Sequence, residues 1–186
     1  MLKSTWKDSK VDAKVTEAGV PKNHKYRDRA RSLDVVNSFV KRYLEDYMTS
    51  KPVKVLDIAT GNGIFLEVMK DQGHSVVGTE IPKSPYIPYH RSQNVLVEYH
   101  DINDLPHPFD KDSFDLVSCI GGLNILPVYF WEDLLEDLFR MAKKTVILSV
   151  GRDNAYEVNK QIIEDFALFE GWSLTLQDRS IYRWDK

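Results

Sequence analysis

The sequence predicts an α/β protein: a doubly wound, mostly parallel, seven-stranded sheet that ends in an antiparallel hairpin. Three observations lead there. From residue 53 onward, short apolar runs of β type alternate with amphipathic helical segments, the pattern of strands covered on both faces. The first four of those runs each end at an acid or a glycine. The last two are split by Asp178-Arg179 alone, too few residues for a crossover, so they must pair antiparallel.

Taken in order, Leu33, Val36, Phe39, Val40, Tyr43, Leu44 and Tyr47 recur at helical spacing, which predicts a helix over residues 29–49 closed by Lys51-Pro52. Val53–Ile58 reads as the first strand and Ile64–Asp71 as a short helix stopped by Gly73. Ser75–Glu80 and Val95–Tyr99 read as the second and third strands. Between them lies "IPKSPYIPYHRSQ", Ile81–Gln93, whose Pro82, Pro85 and Pro88 argue against a regular helix. Phe114–Ile120 is the fourth strand, Tyr129–Ala142 a strongly amphipathic helix and Thr145–Val150 the fifth strand. A helix over Asn154–Phe169 and the strands Trp172–Gln177 and Ser180–Trp184 complete the pattern.

The chain has 186 residues, which suits a single domain over residues 32–186. Residues 1–31 form a basic arm or lid, with nine Lys/Arg against four Asp/Glu, so the net charge of −3 hides an excess of +5 in the arm and −8 in the remainder. No apolar run approaches the ~18–20 residues a membrane span requires. The N-terminus lacks the apolar centre of a signal peptide, and the single Cys119 permits no intrachain disulfide. A cytoplasmic protein with no membrane association is expected.

The stretch "VKVLDIATGNGIF" holds the key to function. In a doubly wound sheet, ligands bind beyond the carboxyl ends of the strands where the winding reverses. Glycines at such a turn admit a ligand that a Cβ would block. Free N–H groups at the following helix start favour an anionic group. Glu80 stands at the end of the second strand, where an acid can accept hydrogen bonds from vicinal ribose hydroxyls. Asp101-Ile102 follows the third strand, where a carboxylate can meet an adenine amino group. The fourth strand, "FDLVSCI", runs into Gly121-Gly122 at the same edge.

With these residues in this order, the chain resembles class I S-adenosylmethionine-dependent methyltransferases of the small-molecule type, over residues ~30–184. The glycine-rich D-x-G-x-G-x-G motif corresponds to Asp57-Ile58-Ala59-Thr60-Gly61-Asn62-Gly63, with Ala59 in place of the first glycine, a change of one methyl group. The resemblance implies a Rossmann-like methyltransferase fold with a terminal strand inserted beside the fifth. It implies S-adenosylmethionine as cofactor, held by Asp57, Ala59, Thr60, Gly61, Asn62, Gly63, Glu80, Ile81, Asp101, Ile102, Ile120 and Gly121. A nicotinamide fingerprint would need a third small residue where Leu66 stands. A non-catalytic cofactor-binding module of the same fold is an alternative.

Transfer from an activated methyl depends chiefly on positioning, and an oxygen acceptor also needs a base with a pKa near 7. His24 and His90 are the candidate bases. Tyr26, Tyr89, Asn124 and Arg152 are the candidate acceptor contacts. No set of residues singles out a metal site. The run Gly121-Gly122-Leu123-Asn124 lacks the Asn-Pro-Pro-Tyr type of signature used for amine methylation. The expected acceptor is therefore a small polar metabolite, the hydroxyl of a sugar or nucleotide-linked sugar, with Arg91 and Arg152 available to an anionic handle. A nucleic acid reached by the basic arm is the runner-up. The sequence carries no signal of oligomeric state.

Overall fold

The computed structural model describes residues 29–150, 161–166 and 171–186. Its chain order is α1 (Arg29–Tyr43), α2 (Glu45–Met48), β1 (Lys54–Asp57), α3 (Ile64–Asp71), β2 (Ser75–Glu80), α4 (Ile87–Gln93), β3 (Leu96–Tyr99), β4 (Phe114–Ile120), two 3₁₀ turns (Gly122–Ile125 and Val128–Phe130), α5 (Trp131–Met141), β5 (Ala142–Ser149), β6 (Ser173–Asp178) and β7 (Ile181–Asp185). Residues 161–165 are helical. Among the described residues, no helix is long and apolar enough to cross a membrane.

The strands form one seven-stranded sheet in the order β3-β2-β1-β4-β5-β7-β6. β1 pairs in parallel with both β2 and β4, Val55 lying opposite Val76 on one side and Leu116 on the other. The chain therefore winds outward through β2 and β3, then returns to the far side of β1 at β4. That reversal opens a crevice at the C-terminal ends of β1 and β4. β7 runs antiparallel between β5 and β6, as the hairpin spacing requires.

Alternation along the central strands builds a core on each face of the sheet. Leu56, Val117, Val146 and Leu148 face α5, whose Leu134, Leu135, Leu138 and Phe139 pack on them with Tyr182 and Trp184. Val55, Leu116 and Ile147 face the other way, toward Val40 and Leu44 and toward Ile64, Leu66 and Met69 of α3.

Three differences from the sequence expectation alter the local structure. The first helix is not continuous to residue 49: Leu44, buried and at φ −138° and ψ 31°, separates α1 from α2. The break turns Tyr47 inward, so that its hydroxyl donates to Thr145 Oγ1 at 2.8 Å. Arg183 of β7 fastens the same corner, reaching both Asp46 oxygens at 2.8 and 2.7 Å and the Tyr43 carbonyl at 2.9 Å. The second difference is α4, which forms in the proline-rich segment expected to be irregular. Pro88 is the second residue of that helix, where a missing N–H removes no intrahelical bond. Third, α5 stops at Met141 and Ala142 already belongs to β5, so the fifth strand starts earlier than its apolar run suggests. Of the helix expected over residues 154–169, residues 154–160 and 167–169 lie outside the described residues.

His74 and His107 occupy structural places. His74 Nε2 lies 2.9 Å from the Tyr47 carbonyl. His107 is buried with Nδ1 2.7 Å from Asp137 Oδ2, and Arg140 braces that carboxylate at 2.7 Å.

Candidate active site

β1 delivers the chain to the crevice at Asp57, and the backbone then turns through Ala59, Gly61 and Gly63, at φ 56°, 55° and 74°, before α3 begins. These are left-handed values that glycine adopts freely and alanine does not. Gly63 is required twice over, since a Cβ there would lie 2.6 Å from Gln93 Oε1 and 3.2 Å from His90 Cδ2. At Ala59 the change from glycine is therefore more than an added methyl: the residue carries backbone strain. Its methyl also lies against Gly122, where an added Cβ would stand 3.3 Å away.

The turn is held by its neighbours in the sheet. The Thr60 N–H donates to the Thr79 carbonyl at 2.9 Å, and the Ala59 N–H to Thr79 Oγ1 at 3.2 Å. The Gly61 N–H donates to Glu80 Oε2 at 2.7 Å, and the other Glu80 oxygen accepts the Ile81 N–H at 3.0 Å. The Gly61 carbonyl lies 2.6 Å from His90 Nε2 on α4. Asn62, expected to touch cofactor, uses its Oδ1 to accept the Ile64 N–H at 3.2 Å, tying the turn to the first turn of α3.

Two carboxyls flank this turn. Asp57 is buried, and removal from water pushes its pKa up to about 7, although Ser118 Oγ donates to its Oδ1 at 2.6 Å. Glu80 is half-buried, and desolvation raises it too, against the two backbone N–H bonds it accepts. Each Glu80 oxygen takes one backbone donor, and a carboxylate oxygen offers two lone pairs. An acceptor position thus remains on each oxygen for a ligand hydroxyl.

The remaining expected cofactor contacts spread along the same edge. Asp101 uses Oδ1 for the Asn103 N–H and Nδ2, at 3.0 and 2.7 Å, and those bonds hold its carboxyl below the ordinary range. Ile81 is 39% exposed beside Glu80, and Tyr99, which pairs with Glu80 across the sheet, is 41% exposed. Gly121, at φ 83°, ends β4 with its N–H on the Ser149 carbonyl at 3.1 Å, and Ile120 before it is partly buried. Ile102 is buried in the core beneath Gly122 instead of lining the edge. The arrangement fits S-adenosylmethionine, the cofactor implied by the motif order: a turn without side chains at Gly61 and Gly63, and a carboxylate with spare acceptor positions beside it.

Among the expected catalytic and acceptor residues, His24, Tyr26 and Arg152 lie outside the described residues. Asn124 is exposed in the first 3₁₀ turn after β4. Two expectations are corrected. Tyr89 is fully buried and stacked on Tyr86, with ring centroids 6.1 Å apart, so it belongs to the core. His90 is 2% exposed and bonded to the Gly61 carbonyl, so its ring has no open face for an acceptor. The helix that Pro88 permits turns both side chains inward. Sequence reasoning missed Ser118 and Thr79; the cue was a hydroxyl standing alone in an apolar strand. In the β4–α5 connection Ile125 and Tyr129 are exposed, 68% and 76% accessible.

The comparisons with known proteins agree with this architecture. A family model described as "Methyltransferase domain" matches residues 24–182, and the chain belongs to that family. A ubiquinone biosynthesis O-methyltransferase of Pseudomonas fluorescens is 26% identical over 132 residues, 64% of this chain and 54% of that protein. One of Coxiella burnetii is 27% identical over 104 residues, 53% of this chain and 44% of that protein. The chain thus spans about half the length of the curated relatives it matches. Among solved structures, the magnesium protoporphyrin IX methyltransferase of Synechocystis PCC 6803, crystallised with bound SAM, superposes with a TM-score of 0.68. It is 19% identical, covering 94% of this chain and 90% of that one. A SAM-dependent methyltransferase of Archaeoglobus fulgidus gives a TM-score of 0.62 at 16% identity, with 83% and 94% covered.

Two outcomes are expected at the turn. Ala59→Gly relieves the left-handed strain and raises unfolding stability in urea by about 0.5–1 kcal/mol, while Ala59→Val lowers it. Asp57 supplies a pH signature. A carboxyl that holds its proton to about pH 7 when folded, against an ordinary 3.8, makes the folded state the better proton binder between those values. Its contribution to stability therefore falls as pH rises through that window and levels off above it. Asp57→Asn has no such proton to lose. Its stability relative to the parent should climb by roughly 2–4 kcal/mol between pH 4 and pH 8, read from denaturant midpoints at each pH.

Proposed function

We propose that the protein binds S-adenosylmethionine at the Ala59–Gly63 turn and transfers its methyl group to an oxygen of a small molecule. The observation that carries this reading is the meeting of Gly61, Gly63 and Glu80 at the sheet edge where the winding reverses. Gly61 and Gly63 floor the amino-acid part of the cofactor, and the free acceptor positions of Glu80 take the ribose hydroxyls. Asp57 and Glu80 place carboxyls close to the cofactor's cationic groups. The bound cofactor supplies a methyl already activated on a sulfonium, so the protein's share is binding, orientation and exclusion of water.

The acceptor edge supports a molecule with an apolar or aromatic face. Ile125 and Tyr129 stand exposed in the β4–α5 connection, and Phe130 lies against Tyr129 with ring centroids 4.7 Å apart. Apolar side chains together with a few polar groups are the usual make-up of a small-molecule site. Relatives whose names refer to ubiquinone biosynthesis and to a porphyrin point the same way. The sugar hydroxyl expected from the sequence draws on Arg91, which is exposed on α4, and on Arg152 and residues 1–28 of the basic arm, which lie outside the described residues. The arm is also what a nucleic-acid acceptor would use.

Calorimetry should show one S-adenosylmethionine per chain, with Glu80→Ala weakening it by about 1.5–3 kcal/mol, the scale of hydrogen bonds to a charged group. Absence of binding by the intact protein, or an unchanged affinity in that variant, rejects the cofactor assignment. Methyl-labelled cofactor is then offered with a lipid and quinone extract, a polar metabolite extract or total nucleic acid. Label is expected in the first. Label confined to the second restores the sugar, and label confined to nucleic acid overturns the small-molecule reading.

A further inference from the structure

The Gly61 peptide groups are gripped from both sides. Glu80 takes the N–H at 2.7 Å and His90 meets the carbonyl at 2.6 Å. A carbonyl oxygen only accepts, so His90 Nε2 must carry the proton and the ring donates. The opposite nitrogen, Nδ1, is buried with no hydrogen-bond partner among the described residues. A second proton there would place an unpaired charge in a site 2% exposed. Burial accordingly draws the imidazole below its ordinary pKa, against the bond to Gly61 that raises it.

The surroundings lock the ring in this role. Its Cδ2 lies where a Gly63 Cβ would be 3.2 Å away, and Gln93, one helical turn on, closes the same gap at 2.6 Å. Tyr99 covers it from β3 at a ring separation of 6.4 Å and a tilt of 35°. His90 and Gln93 of α4 are thus packed against the glycine turn.

We infer that His90 is a positioning residue for cofactor binding: a neutral, Nε2-protonated imidazole that fixes the Gly61 carbonyl and thereby aims the turn and Glu80 at the ligand. The inference rests on S-adenosylmethionine occupying that turn. Glu80 touches the ligand directly, whereas His90 acts through the backbone it shares with Glu80. Its chemistry is donation of one hydrogen bond, without proton transfer to or from an acceptor.

The test uses the full chain and two variants. His90→Leu removes the donor; His90→Gln keeps one, because a Gln amide nitrogen reaches about as far as Nε2 while Asn would mimic Nδ1. Calorimetric titration with S-adenosylmethionine should show His90→Leu weakened about tenfold or more, and His90→Gln recovering most of the loss. Nitrogen NMR of the unliganded parent at neutral pH should show the Nε2–H tautomer. Equal losses in Leu and Gln variants, an unchanged affinity in both, or an Nδ1–H or doubly protonated ring would overturn the inference. If the parent itself fails to bind S-adenosylmethionine, the cofactor assignment fails, and the NMR tautomer still decides the role of the ring.

Discussion

A carboxylate that closes one strand holds the backbone that leaves its neighbour: Glu80 Oε2 on the Gly61 N–H at 2.7 Å. The ligand edge depends on this bond, because Gly61 has no side chain of its own to fix its backbone. The parallel pairing of Asp57 with Gly78 brings the end of β2 level with the start of the turn. Gly78 itself leaves room for Leu66 and Thr60, which an added Cβ would approach to 2.6 and 2.9 Å. Strand register, helix seating and the geometry of the glycine turn are thus aspects of one packing arrangement.

The electrostatics of the edge follow from the same arrangement. Asp57 and Glu80 are both withdrawn from water, and both are made reluctant to ionise. Such groups are poor partners for each other and good partners for a cation. A positive charge placed beside them offsets the desolvation cost that raises both groups. Ser118, donating from β4 to Asp57 at 2.6 Å, offsets only some of that cost.

The strands and α3 were legible in the sequence because a period of two, or of 3.6, survives burial on both faces. The edge proposed for the cofactor was read in the same way, since an acid after each of three strands and paired glycines is a pattern of positions. What stayed hidden depended on direction. Pro88 reads as a breaker unless its place within a helix is known, and without α4 there was no reason to turn Tyr89 and His90 inward. His90 stood near the right residues, but the sequence does not say which way an imidazole points. Ala59 looked like a small residue in a small-residue motif; its φ of 56° is a property of the turn. The break at Leu44 likewise answers to Tyr47 and Thr145, residues far apart in the chain.

β7 lies between β5 and β6, and this order has a consequence for how the sheet is completed. β6 precedes β7 in the chain but has no other neighbour in the sheet, so it cannot join until the later strand has docked. Until then β5, with Val146, Ile147 and Leu148 fully buried in the finished protein, presents a long apolar edge with a free row of backbone donors and acceptors. Such an edge is a template for pairing with other chains. The hairpin of β6 and β7 is therefore a closing cap as well as a structural layer, and the period before it docks is when the molecule is most exposed to self-association.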